Sequence, residues 1–157
     1  MTEQQSPAQS HDAQSHDELI SEMLHTAKTI AVIGMSNKPE RASFNIGAYL
    51  DRNGYRVLPV NPALSEIAAN GKVLVSYPTL EDAQAAIAAE GGKIDLVDVF
   101  RAPEFVPEIV KDVIRLRIPY LWLQDGVIND EAIATAESCG IKCIQDDCIF
   151  REHAKRA

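Results

Sequence analysis

The run Thr29-Ile-Ala-Val-Ile-Gly-Met-Ser-Asn-Lys-Pro-Glu-Arg41 constrains this chain more than any other segment. A short apolar strand stops at Gly34, a polar turn carries Lys38 and Arg41, and helical character begins near Ser43. A nucleotide-binding α/β domain opens in this order. Gly34 has no Cβ, so a ligand or another backbone can approach it closely. The amides that open the next helix can hold an anion. The dinucleotide fingerprint G-x-G-x-x-G would need glycines at 36 and 39, where the chain has Ser36 and Pro39. Lys38 and Arg41 instead put positive charge where phosphates would sit, which points to a ligand richer in phosphate than NAD.

The rest of the chain repeats the alternation. Residues 1–15 are rich in Gln, Ser, His and Asp, and read as a disordered tail. Within it Ala-Gln-Ser-His-Asp occurs twice, a slipped duplication or, less simply, a pair of metal-touching histidines at His11 and His16. Asp17 is the expected cap of a helix with Leu19, Ile20, Met23 and Leu24 on its apolar face. Strands are expected over 29–33, 56–60, 71–77, 94–100, 120–123 and 141–145, the third of them short and at an edge. Helices are expected over 43–53, 79–89, 103–117 and 130–138, with a short one from 150. Gly54 and Gly140 stop two of the helices. Pro103 suits a helical first turn, and Asn129 suits a cap.

Strands alternating with helices through short connections predict an α/β fold: one Rossmann-like domain over 16–157, with a mainly parallel sheet of five or six strands covered on both faces. The expected order is 3-2-1 in the first half and 4-5 in the second. Ligands of such sheets bind outside the carboxyl ends of the strands. Segments 34–44, 60–63, 100–104, 124–128 and 146–148 should therefore converge.

Composition narrows the function. The 157 residues suffice for one core but not two. A net charge of −8 argues against general nucleic-acid binding, which needs a basic surface. No apolar run approaches a membrane span, and no apolar signal segment opens the chain. The three cysteines, Cys139, Cys143 and Cys148, read as reduced thiols in a cytoplasm. Cys139 and Cys143 have a spacing seen in some metal sites, but one ends a helix and the other alternates in a strand, so zinc is not expected.

Within the predicted cleft, Ser36 offers a hydroxyl, Lys38 a point charge and Arg41 a planar fork that can grip a phosphate bidentately. Ser43 and Asn45 either meet anionic oxygens or organise the helix start. An NAD domain ends its second strand with an acid for the ribose hydroxyls. Val60-Asn61-Pro62 stands there instead, either a plain turn or an adenine-facing edge. NAD is thereby disfavoured, and NADP less so because cations are present. Phe100 can lie against a base or an acyl chain, and Arg101 can add a phosphate contact. Asp98 reads as a hydrogen-bonded structural acid, and Trp122 as core. Gln124 and Gly126 point to the cleft. Cys148 either packs as a small apolar group or forms a mixed disulfide with a thiol ligand.

Taken together, Gly34-Met-Ser-Asn-Lys-Pro-Glu-Arg41, Pro59-Val-Asn-Pro62, Asp98-Val-Phe-Arg101, Trp122-Leu-Gln124-x-Gly126-Val-x-Asn129 and Asp146-x-Cys148 followed by His153 resemble the small stand-alone CoA-binding-domain proteins of bacteria, the YccU-like predicted CoA-binding family. The resemblance runs over about residues 17–155 and extends to the CoA-binding domain of the succinyl-CoA synthetase alpha subunit. It implies a Rossmann-like fold holding coenzyme A or an acyl-CoA at the strand ends. Gly34, Ser36, Lys38 and Arg41 would meet phosphates, Val60, Asn61 and Pro62 would border the adenine side, and Phe100, Arg101, Gln124 and Gly126 would line the remaining cleft. The synthetase's phosphorylated histidine belongs to a second domain, so ligase chemistry does not carry over. The expectation is a non-catalytic module for a small CoA ligand. The alternative is an NADP-dependent oxidoreductase, or an acyl-CoA enzyme subunit that acts with a partner chain. Oligomeric state stays open.

Overall fold

The computed structural model describes residues 14–157. The expected tail and the His11 half of the histidine pair therefore lie outside the described residues, apart from Gln14 and Ser15. Helix α1 (His16–Thr26) is capped by Ser15, not Asp17. The Ser15 hydroxyl accepts from the Glu18 amide at 3.0 Å, and the Glu18 carboxylate accepts from the Ser15 amide at 3.0 Å. That reciprocal pair satisfies two amides at once, and a single Asp at 17 could not.

The order continues with β1 (Thr29–Ile33), α2 (Ala42–Arg52), β2 (Arg56–Val60), β3 (Glu66–Ala69), β4 (Lys72–Val75), α3 (Leu80–Ala89), β5 (Leu96–Val99), α4 (Val106–Arg115), β6 (Tyr120–Leu123), α5 (Asp130–Ser138), β7 (Lys142–Ile144) and α6 (Ile149–Arg156). A 3₁₀ turn, Pro103–Phe105, precedes α4. The main sheet has five strands in the order β2-β1-β5-β6-β7, all parallel. This is the expected α/β Rossmann-like arrangement in a single domain. β1 and β5 lie side by side, so the switch point falls between the turns at Gly34 and Phe100.

The expected 3-2-1 half is only partly formed. β3 and β4 make a separate antiparallel hairpin, and β3 had no counterpart among the expected strands. The chain returns to the sheet beyond β4, where Tyr77 bridges Val60. The Tyr77 amide donates to the Pro59 carbonyl, and the Asn61 amide to the Tyr77 carbonyl, both at 2.9 Å. A full third strand would have used the outer edge of β2. Pro59, which has no amide proton, is tolerable there because β2 is an edge strand.

The sheet divides the core into two layers. On one face, Val97, Val99 and Leu121 pack under α3, α4 and α5. On the other, Ile30, Val32, Leu96 and Trp122 pack under α1, α2 and α6. The strands alternate between these faces, and both faces are covered, so every residue of β1, β5 and β6 is buried. No helix among the described residues is long and apolar enough to cross a membrane.

Candidate coenzyme-binding site

Gly34 closes β1 with φ +88°, a conformation that disfavours side chains. A Cβ built there would stand 2.6 Å from the Phe100 carbonyl oxygen and 3.4 Å from the Arg101 side chain. The Gly34 amide donates to the Val60 carbonyl at 2.8 Å. Three of the expected segments, ending β1, β2 and β5, therefore meet within contact distance at this residue. The bare glycine is what allows the β5 turn to close against β1.

The loop beyond Gly34 is wired by its own polar side chains. The Ser36 amide donates to Ser43 Oγ, and the Lys38 amide donates to Ser36 Oγ, each at 3.0 Å. Asn45 Nδ2 donates to the carbonyls of Pro39 at 2.8 Å and Arg41 at 3.1 Å. Ser43 and Asn45 thus shape the loop. The loop curls over the start of α2, where Arg41 is the cap residue.

This helix start differs in kind from those of α1, α3 and α5. Those three are closed by Ser15, Thr79 and Asn129, with two acids in each first turn. At α2 no side chain caps the amides, and the first turn holds no acid. An uncapped amino end carries partial positive charge and unsatisfied donors. Lys38 and Arg41 are exposed beside it, and among the described residues neither pairs with a carboxylate. These groups leave a local concentration of donors and positive charge on an otherwise acidic chain.

Asn61 holds the loop from the β2 side. Its Nδ2 donates to the Met35 carbonyl at 3.0 Å, and its Oδ1 accepts from the Ala63 amide at 2.9 Å. Both ends of its amide are engaged in the scaffold. Pro62 follows on the exposed turn, and Val60 is buried.

Phe100, Arg101, Gln124 and Gly126 line one cavity of about 310 Å³ at the ends of β5 and β6, together with Asp125 and Val127. The Arg101 guanidinium lies 3.9 Å from the Phe105 ring centroid, a cation–π contact that holds it at the rim. Gln124 is 4% exposed, and its Oε1 accepts from the Ile149 amide at 3.1 Å, which closes the start of α6. The Gly126 amide donates to Asp146 Oδ1 at 2.8 Å. Arg151 spans Asp125 and Asp147 at 3.0 and 2.9 Å, and these partners hold its proton more firmly than usual. The 124–126 and 146–148 segments are tied together in this way. Among the described residues Lys38 and Arg41 make no side-chain hydrogen bond to this cavity's lining residues, and the loop meets the cleft at Gly34, which lies against Phe100 and Arg101.

Several supporting residues were not singled out by the sequence. Met35 is fully buried, and its Sδ would lie 2.5 Å from a Cβ at Gly47, so a side chain at 47 would displace the Met35 thioether from its packing on α2. The glycine within a helical stretch was the available signal. Asp146 entered the sequence reading only within the Asp146-x-Cys148 motif, and the tie from Asp146 to Gly126 and from Arg151 to Asp125 was not legible because these partners are distant in sequence. Asp98 departs from its expected role: it is fully buried, and neither carboxylate oxygen has a partner among the described residues. Cys148 is 7% exposed within the α1/α2/α6 layer. Burial pushes the Cys143 thiol up to about 12. All three cysteines are free, and no metal-holding group of three such ligands stands among the described residues.

The model of the family described as CoA binding domain matches residues 28–154. The chain belongs to this family. It is 33% identical over 135 residues to the uncharacterized protein YneT of Bacillus subtilis, covering 86% of this chain and 92% of that protein. A solved hypothetical protein from Pyrococcus horikoshii superposes with a TM-score of 0.78 at 33% identity, over 90% of this chain and 92% of that one. A solved Thermus thermophilus protein superposes with a TM-score of 0.76 at 31% identity, over 90% and 98%.

Proposed function

We propose that this protein binds coenzyme A or an acyl-CoA in a non-catalytic role, as a sensor or carrier. Gly34, Ser36, Lys38 and Arg41 meet the phosphates. Val60, Asn61 and Pro62 border the adenine side, with Asn61 acting through the loop it braces and leaving base contacts to backbone. Phe100, Arg101, Gln124 and Gly126 line the pantetheine or acyl part of the cleft. The observation that carries this reading is the uncapped, acid-free start of α2 beside Lys38 and Arg41, two exposed cations that meet no carboxylate among the described residues. Coenzyme A has a pyrophosphate and a ribose phosphate, so it needs several donors and no ribose-binding acid. The family supports CoA as the ligand class.

The net charge of −8 and the free cysteines fit a cytoplasmic setting without nucleic-acid partners. Thermal unfolding with CoA, acetyl-CoA, NADP and NAD in parallel tests the reading. A ligand that binds only the folded chain at about 100 times its Kd adds about 2.7 kcal/mol of stability. Stabilisation by CoA or acetyl-CoA beyond that by NADP is expected, and a larger shift with NADP would transfer the site to the oxidoreductase reading.

A further inference from the structure

Gln124 carries a donor that the fold itself does not use. The residue is 4% exposed and is held at three points. Its backbone amide donates to the Val99 carbonyl at 3.2 Å, and its carbonyl accepts from the Val127 amide at 2.9 Å. Its side-chain Oε1 accepts from the Ile149 amide at 3.1 Å. Only the oxygen of a carboxamide accepts from an N–H, so this bond also fixes which end of the side chain is Nε2. Among the described residues nothing accepts from Nε2. The sealed side-chain atoms without a partner among those residues are the two Asp98 oxygens, so Nε2 keeps an open face. It opens where Gln124 lines the cavity with Phe100, Arg101 and Gly126.

The sheet register sets the distance from this donor to the loop. Ile33, Val99 and Leu123 are aligned across β1, β5 and β6. Gly34, Phe100 and Gln124 each stand one residue beyond that row, at the carboxyl ends of three adjacent strands. Gly34 and Gln124 are therefore two strand spacings apart, about 10 Å. Half-buried Phe100 lies between them, and Ala102, Pro103 and Val127 add side chains that offer no hydrogen bond. Arg101 is drawn over the Phe105 ring, and Asp125 is paired with Arg151. A chain laid along this row from Gly34 thus meets one fixed, neutral side-chain donor. With the phosphates at Gly34, the pantetheine arm of the ligand is that chain. At about 1.2 Å of advance per bond when extended, its two amide carbonyls stand about 6 and about 11 Å from the nearer phosphorus, and a thioester carbonyl about 17 Å. The second amide matches the position of Gln124.

We propose that Gln124 is the residue that recognises the pantetheine arm: its Nε2 donates to the amide carbonyl nearer the thiol, while its Oε1 stays on the start of α6. This rests on CoA being the ligand, with its phosphates at Gly34. The donor is aimed at a group that free CoA and every acyl-CoA share, so the cleft selects for the arm and not for what the thiol carries. It is held in place before the ligand arrives, and no side-chain ordering is needed on binding.

The test titrates CoA, acetyl-CoA and 3′,5′-ADP, which lacks the arm, into the unmodified chain, Gln124→Glu and Gln124→Met by calorimetry. Gln124→Glu keeps an acceptor for the Ile149 amide and removes the donor, and Gln124→Met removes both. Both variants should weaken CoA and acetyl-CoA alike, by about 3–10-fold, and leave 3′,5′-ADP unchanged. A merely structural role would weaken all three ligands together. If neither variant folds, ¹⁵N spectra of the unmodified chain decide: the Gln124 side-chain amide signals should move on adding CoA and stay in place with 3′,5′-ADP. Unchanged CoA affinity in Gln124→Glu, an equal loss for 3′,5′-ADP, or side-chain signals indifferent to CoA would overturn the role of Gln124 alone. No binding of CoA or acetyl-CoA to the unmodified chain would instead overturn the ligand reading beneath it.

Discussion

Gly34 shows how much one position can carry. It combines a positive φ with a close approach to the Phe100 carbonyl, so any side chain meets both backbone strain and a clash. Gly34→Ala should lower stability by about 1–3 kcal/mol, read from the urea midpoint, and weaken ligand binding alongside. Arg41 is different because its side chain is exposed and meets no carboxylate among the described residues. Arg41→Ala should leave the midpoint within about 0.5 kcal/mol. It should weaken CoA binding by about 1–3 kcal/mol if the guanidinium makes a charge-assisted bond. Unchanged affinity by calorimetry would take Arg41 out of the site. Residue-scale chemistry of this kind was legible in the sequence, because a glycine after an apolar run and cations before a helix are local patterns. Asp98 was not legible: whether a strand acid finds a donor depends on neighbours from four other elements.

At the scale of elements, the connections decide which helix starts are closed and which are left open. Helices α1, α3 and α5 are closed by polar caps, while α2 starts open. Asn129 accepts from the Ala132 amide at 3.0 Å and donates to the Pro103 carbonyl at 3.2 Å, so it caps α5 and ties it to the turn before α4. Asn129→Ala should lower stability by about 1 kcal/mol in denaturant unfolding. The seat of α6 is sensitive to acid. His153 Nδ1 lies 2.8 Å from the Tyr49 hydroxyl, and the ring meets Tyr49 and Tyr55 edge-on. Burial lowers its pKa below the ordinary histidine value, so the folded state favours the neutral ring. That contribution is complete above the ordinary histidine range and is lost as pH falls through it toward the folded value. Amide exchange in α6 should therefore speed up relative to the rest of the chain on going from about pH 7 to about pH 5. A His153→Gln variant should show no such acid-specific change. Most helix spans were predictable from apolar spacing and caps. The β3–β4 hairpin was not, because Glu66–Ala69 is a short segment whose strand character comes from pairing with Lys72–Val75.

For the whole molecule, the first and last helices share one face of the sheet and are joined through charge. Arg156 contacts Asp17 and Ser21, and Lys142 meets Glu22 at 3.0 Å. Hydrogen bonds from Gln14, Tyr120 and Lys142 hold the Glu22 carboxyl at about 2. Met23 is fully buried between α1 and the strands. Met23→Ala should lower global stability by about 2–5 kcal/mol in a single cooperative transition, because the layer it leaves includes Trp122 and α6 as well as α1. Biphasic unfolding, with α1 leaving first, would show instead that this helix is an independent appendage. The sequence by itself determined the alternation of strands and helices, the parallel buried sheet, and the glycine-and-cation loop at the end of the first strand. These follow from local periodicity and local sterics. Only the tertiary structure decided that the third strand folds away as a hairpin, that Asn61 and Gln124 spend their amide oxygens on scaffold bonds, and that Asp98 is left without a donor. Each of those depends on which groups arrive from elsewhere in the chain to satisfy a polar atom, and spacing along a single chain does not encode that directly.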